Sequence, residues 1–345
     1  MKALLLIGGL ATRLYPLSKR LPKSLLPICD RELLHYQVTQ LALAGINEIV
    51  LAAGHQVEML REFTSHYSGG LSFHFSVEPE PRGTAGAIGY ARDVLAGEPV
   101  VVLNADILSA LTLADVISTH QQAKRPATLV GYAVDNPARY GLLNVSGDAI
   151  TGFSEKPEGA LGLGPHYINA GVYVLEPPVY EQIPGGRAVS IEREVFPALI
   201  NEHGSLTHFP FDGLWNDIGT FESYFKANFT MLARRYIDGE DTLWGRRDDC
   251  AVFKDLVYIH KTAKLKGVDL FHRVIVMREA TIGDNCRLQN CLVLPQARIG
   301  AGTRLTDCIV GPSAEVPAQA KLSSLLLVAN EPHVPFYPEA IDAGR

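Results

Sequence analysis

The chain has 345 residues, 47% of them hydrophobic and 20% charged, with a formal net charge of −6 and a pI near 6.0. This is globular composition, long enough for one large domain and a smaller one, and its acidic balance argues against nucleic acid as a partner. Cys29, Cys250, Cys286, Cys291 and Cys308 are scattered and odd in number, so reduced thiols in a cytoplasmic protein are expected. No apolar stretch reaches the roughly 18 residues of a membrane span, so no membrane association is expected.

Met1 to Ile7 begins like a signal peptide, but the apolar run is short and meets Gly8-Gly9 at once. Leu4–Ile7 reads as a strand buried on both faces, followed by a loop from Gly8 to Pro27 punctuated by glycine and proline. Glu32 to Ala44 has helical periodicity and stops at Gly45; Glu48–Ala52 is the next strand and Gln56–His66 the next helix. Leu71–Val77, Gly83–Leu95 and Val100–Leu103 read as strand, helix and strand. This order predicts an α/β fold with a mostly parallel sheet and helices on both faces. Ligands of such sheets lie beyond the carboxyl ends of the strands, here after Ile7 and after Leu103. Strands at Ala127–Tyr132, Gly141–Val145 and Gly171–Leu175 and a helix at Thr220–Tyr236 follow, then a charged stretch, Asp238 to Asp249, that reads as a linker.

Beyond it every seventeenth residue is apolar from three starting points. The files are Leu265, Ile282, Ile299 and Val316; Phe271, Leu288, Leu305 and Leu322; and Val276, Val293, Val310 and Leu327. Ala263, Ala280, Ala297 and Ala314 form a fourth. Spacings of six, five and six residues imply a three-sided parallel β-helix of four coils, which share a core that no single coil could form. Cys291 and Cys308 fall one coil apart and should stack. The tail from Asn330 to Arg345, with three prolines, reads as a surface extension.

The first loop reads Gly8-Gly9-Leu10-Ala11-Thr12-Arg13-Leu14-Tyr15-Pro16, then Pro22-Lys23. Paired glycines after a buried strand let backbone N–H groups approach an anion. Arg13, Lys19, Arg20 and Lys23 lie here, and no acidic residue occurs before Asp30. In an acidic protein that local excess suits a polyphosphate, although neither the P-loop nor the dinucleotide-binding glycine fingerprint is present.

Gly-Gly-x-x-Thr-Arg-Leu-x-Pro followed by Pro-Lys resembles the signature of the sugar-1-phosphate nucleotidyltransferase family. Glu78 to Gly86 resembles its nucleobase-side loop, and Asn104-Ala105-Asp106 its metal-binding element. Tyr140-Gly141, Glu155-Lys156-Pro157, Asn169-Ala170-Gly171 and Trp215 to Gly219 follow in the family's order. The resemblance covers roughly residues 1–230 and implies a Rossmann-like mixed, mostly parallel sheet, followed by a short left-handed parallel β-helix of the hexapeptide type. The implied organisation is a catalytic domain over 1–236, a linker over 237–257, the β-helix over 258–328 and a tail over 329–345. Tyr167 to Leu175 and Ser190 to Pro197 are most similar to the GDP-mannose-forming branch. Ala11 and Ala105 depart from the family's usual glycine and glycine or serine, and a Cβ at position 11 disfavours positive φ.

The resemblance implies in-line attack of a sugar-1-phosphate oxygen on the α-phosphorus of a nucleoside triphosphate, with pyrophosphate leaving. It implies Arg13 and Lys23 as catalytic cations, and Gly8, Gly9, Thr12, Arg13, Gly83 and Thr84 as nucleotide-binding residues. Gly141, Glu155, Lys156 and Asn169 would hold the sugar phosphate, and Asp106 and Asp217 a Mg²⁺, whose preference for hard oxygen suits carboxylates. GTP and mannose-1-phosphate are the substrates expected from the branch; heptose- or glucose-1-phosphate and a non-catalytic nucleotide-sugar-binding subunit are the alternatives. The β-helix is expected to mediate a homo-oligomer.

Overall fold

The computed structural model describes all residues except 10, 30, 55, 68–69, 158–164, 185, 235–249 and 337–345. It divides into two compact units: Met1–Leu10 with Gln37–Trp215, and Ala11–Tyr36 with Asn216–Arg345. From Ala11 onward the first loop therefore shares a unit with the β-helix, although Gly8 and Gly9 stay with the first strand. Among the described residues no helix is long and apolar enough to cross a membrane.

The first unit is built on a nine-stranded sheet. Its strands are β1 (Lys2–Ile7), β2 (Glu48–Ala53), β3 (Ser72–Val77), β4 (Val100–Asn104), β5 (Ala127–Val134), β6 (Gly141–Ser146), β7 (Ala149–Glu155), β8 (His166–Leu175) and β9 (Leu206–Phe211). Their spatial order is β3-β2-β1-β4-β8-β5-β9-β7-β6. The first four are parallel, with Leu5 opposite both Leu51 and Leu103. β8 then runs antiparallel to β4 and to β5, while β9 returns parallel to β5. The sheet is thus mixed, parallel where short apolar strands alternate with helices and largely antiparallel where strand follows strand.

Leu4, Leu5, Val50, Leu51, Val100 and Val102 are fully buried, as continuous apolar strands covered on both faces should be. Each such side chain contributes about 1.5–3 kcal/mol of burial. The expected helix at 32–44 is α1 (Leu33–Leu43); α2 (Val57–Ser65) and α3 (Gly83–Tyr90) follow. The helical run expected to continue to Leu95 breaks at Ala91 and resumes as a separate turn, Arg92–Leu95. A helix that the sequence reading missed, α4 (Leu113–Ala123), precedes β5.

In the second unit the seventeen-residue period is realised as strand register. Leu265, Ile282, Ile299 and Val316 pair in succession down one parallel sheet. Val276, Val293, Val310 and Leu327 do so down another, with Cys291 beside Cys308. Corners fall at residues with left-handed backbone that repeat down the stack: Arg273, Asn290, Asp307 and Ser324 at one, Glu279, Gln296 and Ser313 at another. One member of the expected files is displaced. Leu270, not Phe271, stands in register with Leu288, because the strand shifts between Phe271 and Val274. Phe271 is left 43% exposed, under the Arg287 guanidinium at 5.3 Å from its ring centroid.

Residues 250–256, expected to be linker, include a strand, Cys250–Phe253, antiparallel to Val257–His260; 237–249 lie outside the described residues. The end of the prism is closed by Val334–Pro335 pairing with Leu325 and Leu326. Phe336 is buried against Phe225 of α6 (Phe221–Leu232), ring centroids 5.3 Å apart.

Candidate active site

The parallel half of the first unit brings the two expected ligand-binding segments to one sheet edge. Leu6 pairs with Asn104, and the Ala105 N–H donates to the Leu6 carbonyl at 3.1 Å, so Gly8-Gly9 and Asp106 leave neighbouring strands side by side. Gly9 has φ of +96°, a conformation that glycine adopts without strain, and a Cβ built at Gly8 or Gly9 meets nothing within 4 Å. The backbone here is open to close approach.

The turn carrying Asp106 is clamped from α1. Gln37 Nε2 donates to the carbonyls of Asn104 and Ile107 at 2.8 and 2.9 Å, and Gln40 does the same for Ser109 and Leu111. Both glutamines are buried, one helical turn apart on one face. Neither was expected as a supporting residue; a buried glutamine at this spacing on an otherwise apolar face was the available signal. Asn104 Oδ1 is buried beside this turn with no hydrogen-bond partner among the described residues, so an acceptor is left unsatisfied next to Asp106.

The second unit contributes Arg13, Lys23 and Asp217. Arg13 lies in a 3₁₀ turn, Thr12–Leu14, opened by Ala11 at φ +44°. The residue that departs from the family's glycine therefore adopts the left-handed conformation glycine favours, at a cost on the order of 1 kcal/mol. The Ala11 carbonyl accepts from the Leu14 N–H and the Ser18 hydroxyl, both at 2.9 Å, which holds the turn. Asp217 ends the short strand Trp215–Asp217, and its Oδ1 lies 3.8 Å from Lys23 Nζ. A Cβ at the buried Gly219 would lie 3.2 Å from Arg13 Nη2 and 3.3 Å from Asp217 Oδ2. A cation and a carboxylate thus converge on a glycine whose missing side chain leaves them room, and a second cation, Lys23, stands beside that carboxylate. Just beyond it, Thr220 and Ser223 form a reciprocal capping box that fixes the start of α6.

The expected sugar-phosphate residues fall in one part of the first unit, each in a defined state. Asn169 is structurally engaged: its Nδ2 donates to the Tyr173 hydroxyl at 2.8 Å and its Oδ1 accepts from the Gly171 N–H at 3.0 Å. This braces a bulge in β8, where Gly171 has φ of +74° and a Cβ would come within 2.8 Å of Asn104 Nδ2. Gly141 lacks a side chain because the Phe153 ring and Glu155 Oε2 occupy that space. Glu155 is largely buried, its Oε1 4.0 Å from the Nζ of the exposed Lys156. Burial and then the nearby Glu192 push the Glu155 carboxyl above the usual carboxylate range, against Lys156 and Arg193.

Glu192 was not singled out in the sequence. Its Oε2 accepts from the Thr84 hydroxyl and from the Ser190 hydroxyl, both at 2.8 Å, while Thr84 Oγ1 accepts from the Ile191 N–H at 2.9 Å. Thr84 is therefore a strut for the π-helical turn Ile191–Val195, which leads into α5 (Phe196–His203). The Val189 carbonyl receives the Ala85 and Gly86 N–H groups at 3.0 and 3.2 Å. It also fills the space in front of Gly83, where a Cβ would lie 2.7 Å from it. Trp215 donates its indole N–H to the Ala170 carbonyl at 3.0 Å and stacks on Tyr132, centroids 5.0 Å apart.

The nucleotidyl transferase family model matches residues 2–234, which contain every one of these residues. The chain belongs to the nucleotidyl transferase family. A second model, the GMPPB C-terminal domain, matches residues 253–335, the β-helix of this family member. The mannose-1-phosphate guanyltransferase of Schizosaccharomyces pombe is 38% identical over 242 residues, 68% of this chain and 65% of that protein. The catalytic subunit beta of mannose-1-phosphate guanylyltransferase from Danio rerio is 38% identical over 64% of this chain and 61% of its own length. The chain thus spans a little under two thirds of the length of these two relatives. Among solved structures, HddC from Yersinia pseudotuberculosis complexed with GMP-PN is similar with a TM-score of 0.56 and 25% identity, over 67% of this chain and 99% of that one.

Proposed function

We propose that the chain transfers a nucleotidyl group from a nucleoside triphosphate to a sugar-1-phosphate, releasing pyrophosphate, with GTP and mannose-1-phosphate as the substrates and GDP-mannose as the product. The observation that carries this reading is the grouping of Arg13 and Asp217 at Gly219, with Lys23 Nζ 3.8 Å from Asp217. Two polyanions must be brought together, so alignment and neutralisation of charge are the main work. Arg13 and Lys23 stabilise charge that builds toward the leaving pyrophosphate. Gly8, Gly9 and Thr12 offer backbone and hydroxyl donors to the triphosphate. Gly83 and Thr84 shape the nucleotide side through the Val189 and Glu192 contacts. Lys156 takes the phosphate of the sugar phosphate, Glu155 accepts from sugar hydroxyls, and Asn169 and Gly141 hold the surrounding backbone.

Asp106 and Asp217 supply hard oxygen donors suited to Mg²⁺, and the unsatisfied Asn104 Oδ1 beside Asp106 fits a polar ligand there. Bound Mg²⁺ would add charge neutralisation on phosphate oxygens. The same reading places the protein in the cytoplasm and gives the β-helix a role in assembling copies of the chain. A matrix of four nucleoside triphosphates against mannose-, glucose- and heptose-1-phosphate, with Mg²⁺, tests it by pyrophosphate release. Turnover greatest with GTP and mannose-1-phosphate is the expected result; no release with any pair would favour the non-catalytic binding subunit.

The raised Glu155 carboxyl gives a pH signature. Its proton is held more tightly in the fold than in the unfolded chain, so its contribution to stability is complete at low pH and declines as pH rises through the folded value. The ionised carboxylate is the stronger acceptor from sugar hydroxyls, so kcat/KM for the sugar phosphate should climb along an acid limb displaced upward from that of an ordinary carboxylate. Glu192→Gln removes the neighbouring like charge and should move that limb to lower pH; an unmoved limb in the pH profile would separate Glu192 from Glu155.

A further inference from the structure

The loop that carries Arg13 and Lys23 is fastened to the far end of the chain. Within the second unit, Lys19 Nζ donates to Glu331 Oε1 at 2.6 Å, and the Tyr15 hydroxyl donates to Glu331 Oε2 at 3.3 Å. Arg20 Nη2 donates to the Ala329 carbonyl at 2.5 Å. The Lys19 ammonium also stands 5.7 Å from the Tyr15 ring centroid. Glu331 follows the last strand of the prism, Lys321–Leu327, and its side chain is 13% exposed, with both carboxylate oxygens engaged.

These contacts fall midway along the loop. Arg13 lies two residues before Tyr15, and Lys23 three residues after Arg20. The segment from Ala11 to Lys23 holds four cations and no carboxylate of its own, so its charges repel one another when drawn together. An exposed ion pair adds little to the stability of a fold. Here the donors come from a short loop and the acceptors from the turn that follows the strand Lys321–Leu327, more than three hundred residues away. The effect of such a tether is to limit the shapes the loop can take.

We propose that Glu331 is a positioning residue for the triphosphate: through Lys19 and Tyr15 it holds the first loop in the shape that presents Arg13 and Lys23. The inference rests on the nucleotidyl-transfer reading above for its kinetic consequence, and on the loop's conformation alone for its structural one. Preorganisation of this kind acts on substrate binding, because a loop that must be ordered by the ligand weakens apparent affinity.

The test compares the full-length protein with Glu331→Gln, Lys19→Gln, the double variant and Lys19→Arg. Glu331→Gln and Lys19→Gln are each expected to raise KM for the triphosphate about fivefold, the change equivalent to one exposed charged pair. kcat should stay within about twofold, and KM for the sugar phosphate should be unchanged. The double variant should be no worse than either single, since both remove one interaction, and Lys19→Arg should restore wild-type KM. Equal changes in both KM values, or none, would overturn the proposal. Hydrogen exchange without substrate decides it separately from catalysis: the amides of residues 12–25 should exchange faster in Glu331→Gln than in wild type, and equal exchange would also overturn it. Wild-type protein inactive with every substrate pair would defeat the nucleotidyl-transfer reading, while the exchange comparison would still judge the tether.

Discussion

Asp217→Asn is expected to lower kcat/KM for pyrophosphate release by on the order of 10²–10³, the scale of removing one preorganised electrostatic group from an active site. The exchange preserves shape and removes only the charge that faces Lys23 Nζ at 3.8 Å. The fold should survive, because Asp217 is a partly exposed residue and α6 is capped by Thr220 and Ser223 independently of it. Asp106→Asn should behave alike, since its turn is held by Gln37 through the carbonyls of Asn104 and Ile107. Steady-state kinetics with thermal denaturation of each variant checks this. Turnover within a few fold of wild type for Asp217→Asn would remove that carboxylate from the reaction.

Gly83→Ala is expected to destabilise the first unit by roughly 2–4 kcal/mol, from about 1–2 kcal/mol for a left-handed non-glycine residue and the remainder from overpacking. The backbone there has φ of +72°, and the new Cβ would lie 2.7 Å from the Val189 carbonyl oxygen. That carbonyl receives the Ala85 and Gly86 N–H groups, so the obstacle is backbone already engaged and cannot swing aside as a flexible side chain could. Displacing Val189 would also loosen the turn in which Thr84 reaches Glu192 and Ile191. A melting temperature lowered by roughly 5–12 °C is expected for a unit of this size. Gly8→Ala is the contrasting case: a Cβ there meets nothing within 4 Å, so melting should be unchanged while activity falls if the triphosphate approaches that backbone. Equal melting of Gly83→Ala and wild type would show that the Val189 segment yields easily.

Much of the architecture was legible because local patterns carried it. Short apolar runs bounded by glycines announced the buried parallel strands, and a seventeen-residue period announced the stacked coils. Phe271 was misplaced because periodicity counts residues and cannot see a strand slip; Leu270 takes the inward position and Phe271 faces outward. The break at Ala91 and the helix Leu113–Ala123 carried weaker signals than the long runs around them. Several motif residues have partners that the motifs alone do not reveal: Gly83 is opposed by Val189, Gly141 by Phe153 and Glu155, and Asn169 holds Tyr173 and Gly171.

By itself, the sequence determined the kinds of element, the coil period and the chemical types in the motifs: cations and paired glycines early, Asp106 after a buried strand. These are properties of neighbours in the chain, expressed through backbone conformation and the alternation of apolar and polar groups. Only the tertiary structure decided that the first loop from Ala11 belongs with the β-helix, that Glu331 pairs with it, and that Gln37, Glu192 and Gly219 lie against the motif residues. Those relations join residues far apart in sequence through hydrogen bonds and excluded volume, and such contacts exist only once the chain has closed on itself.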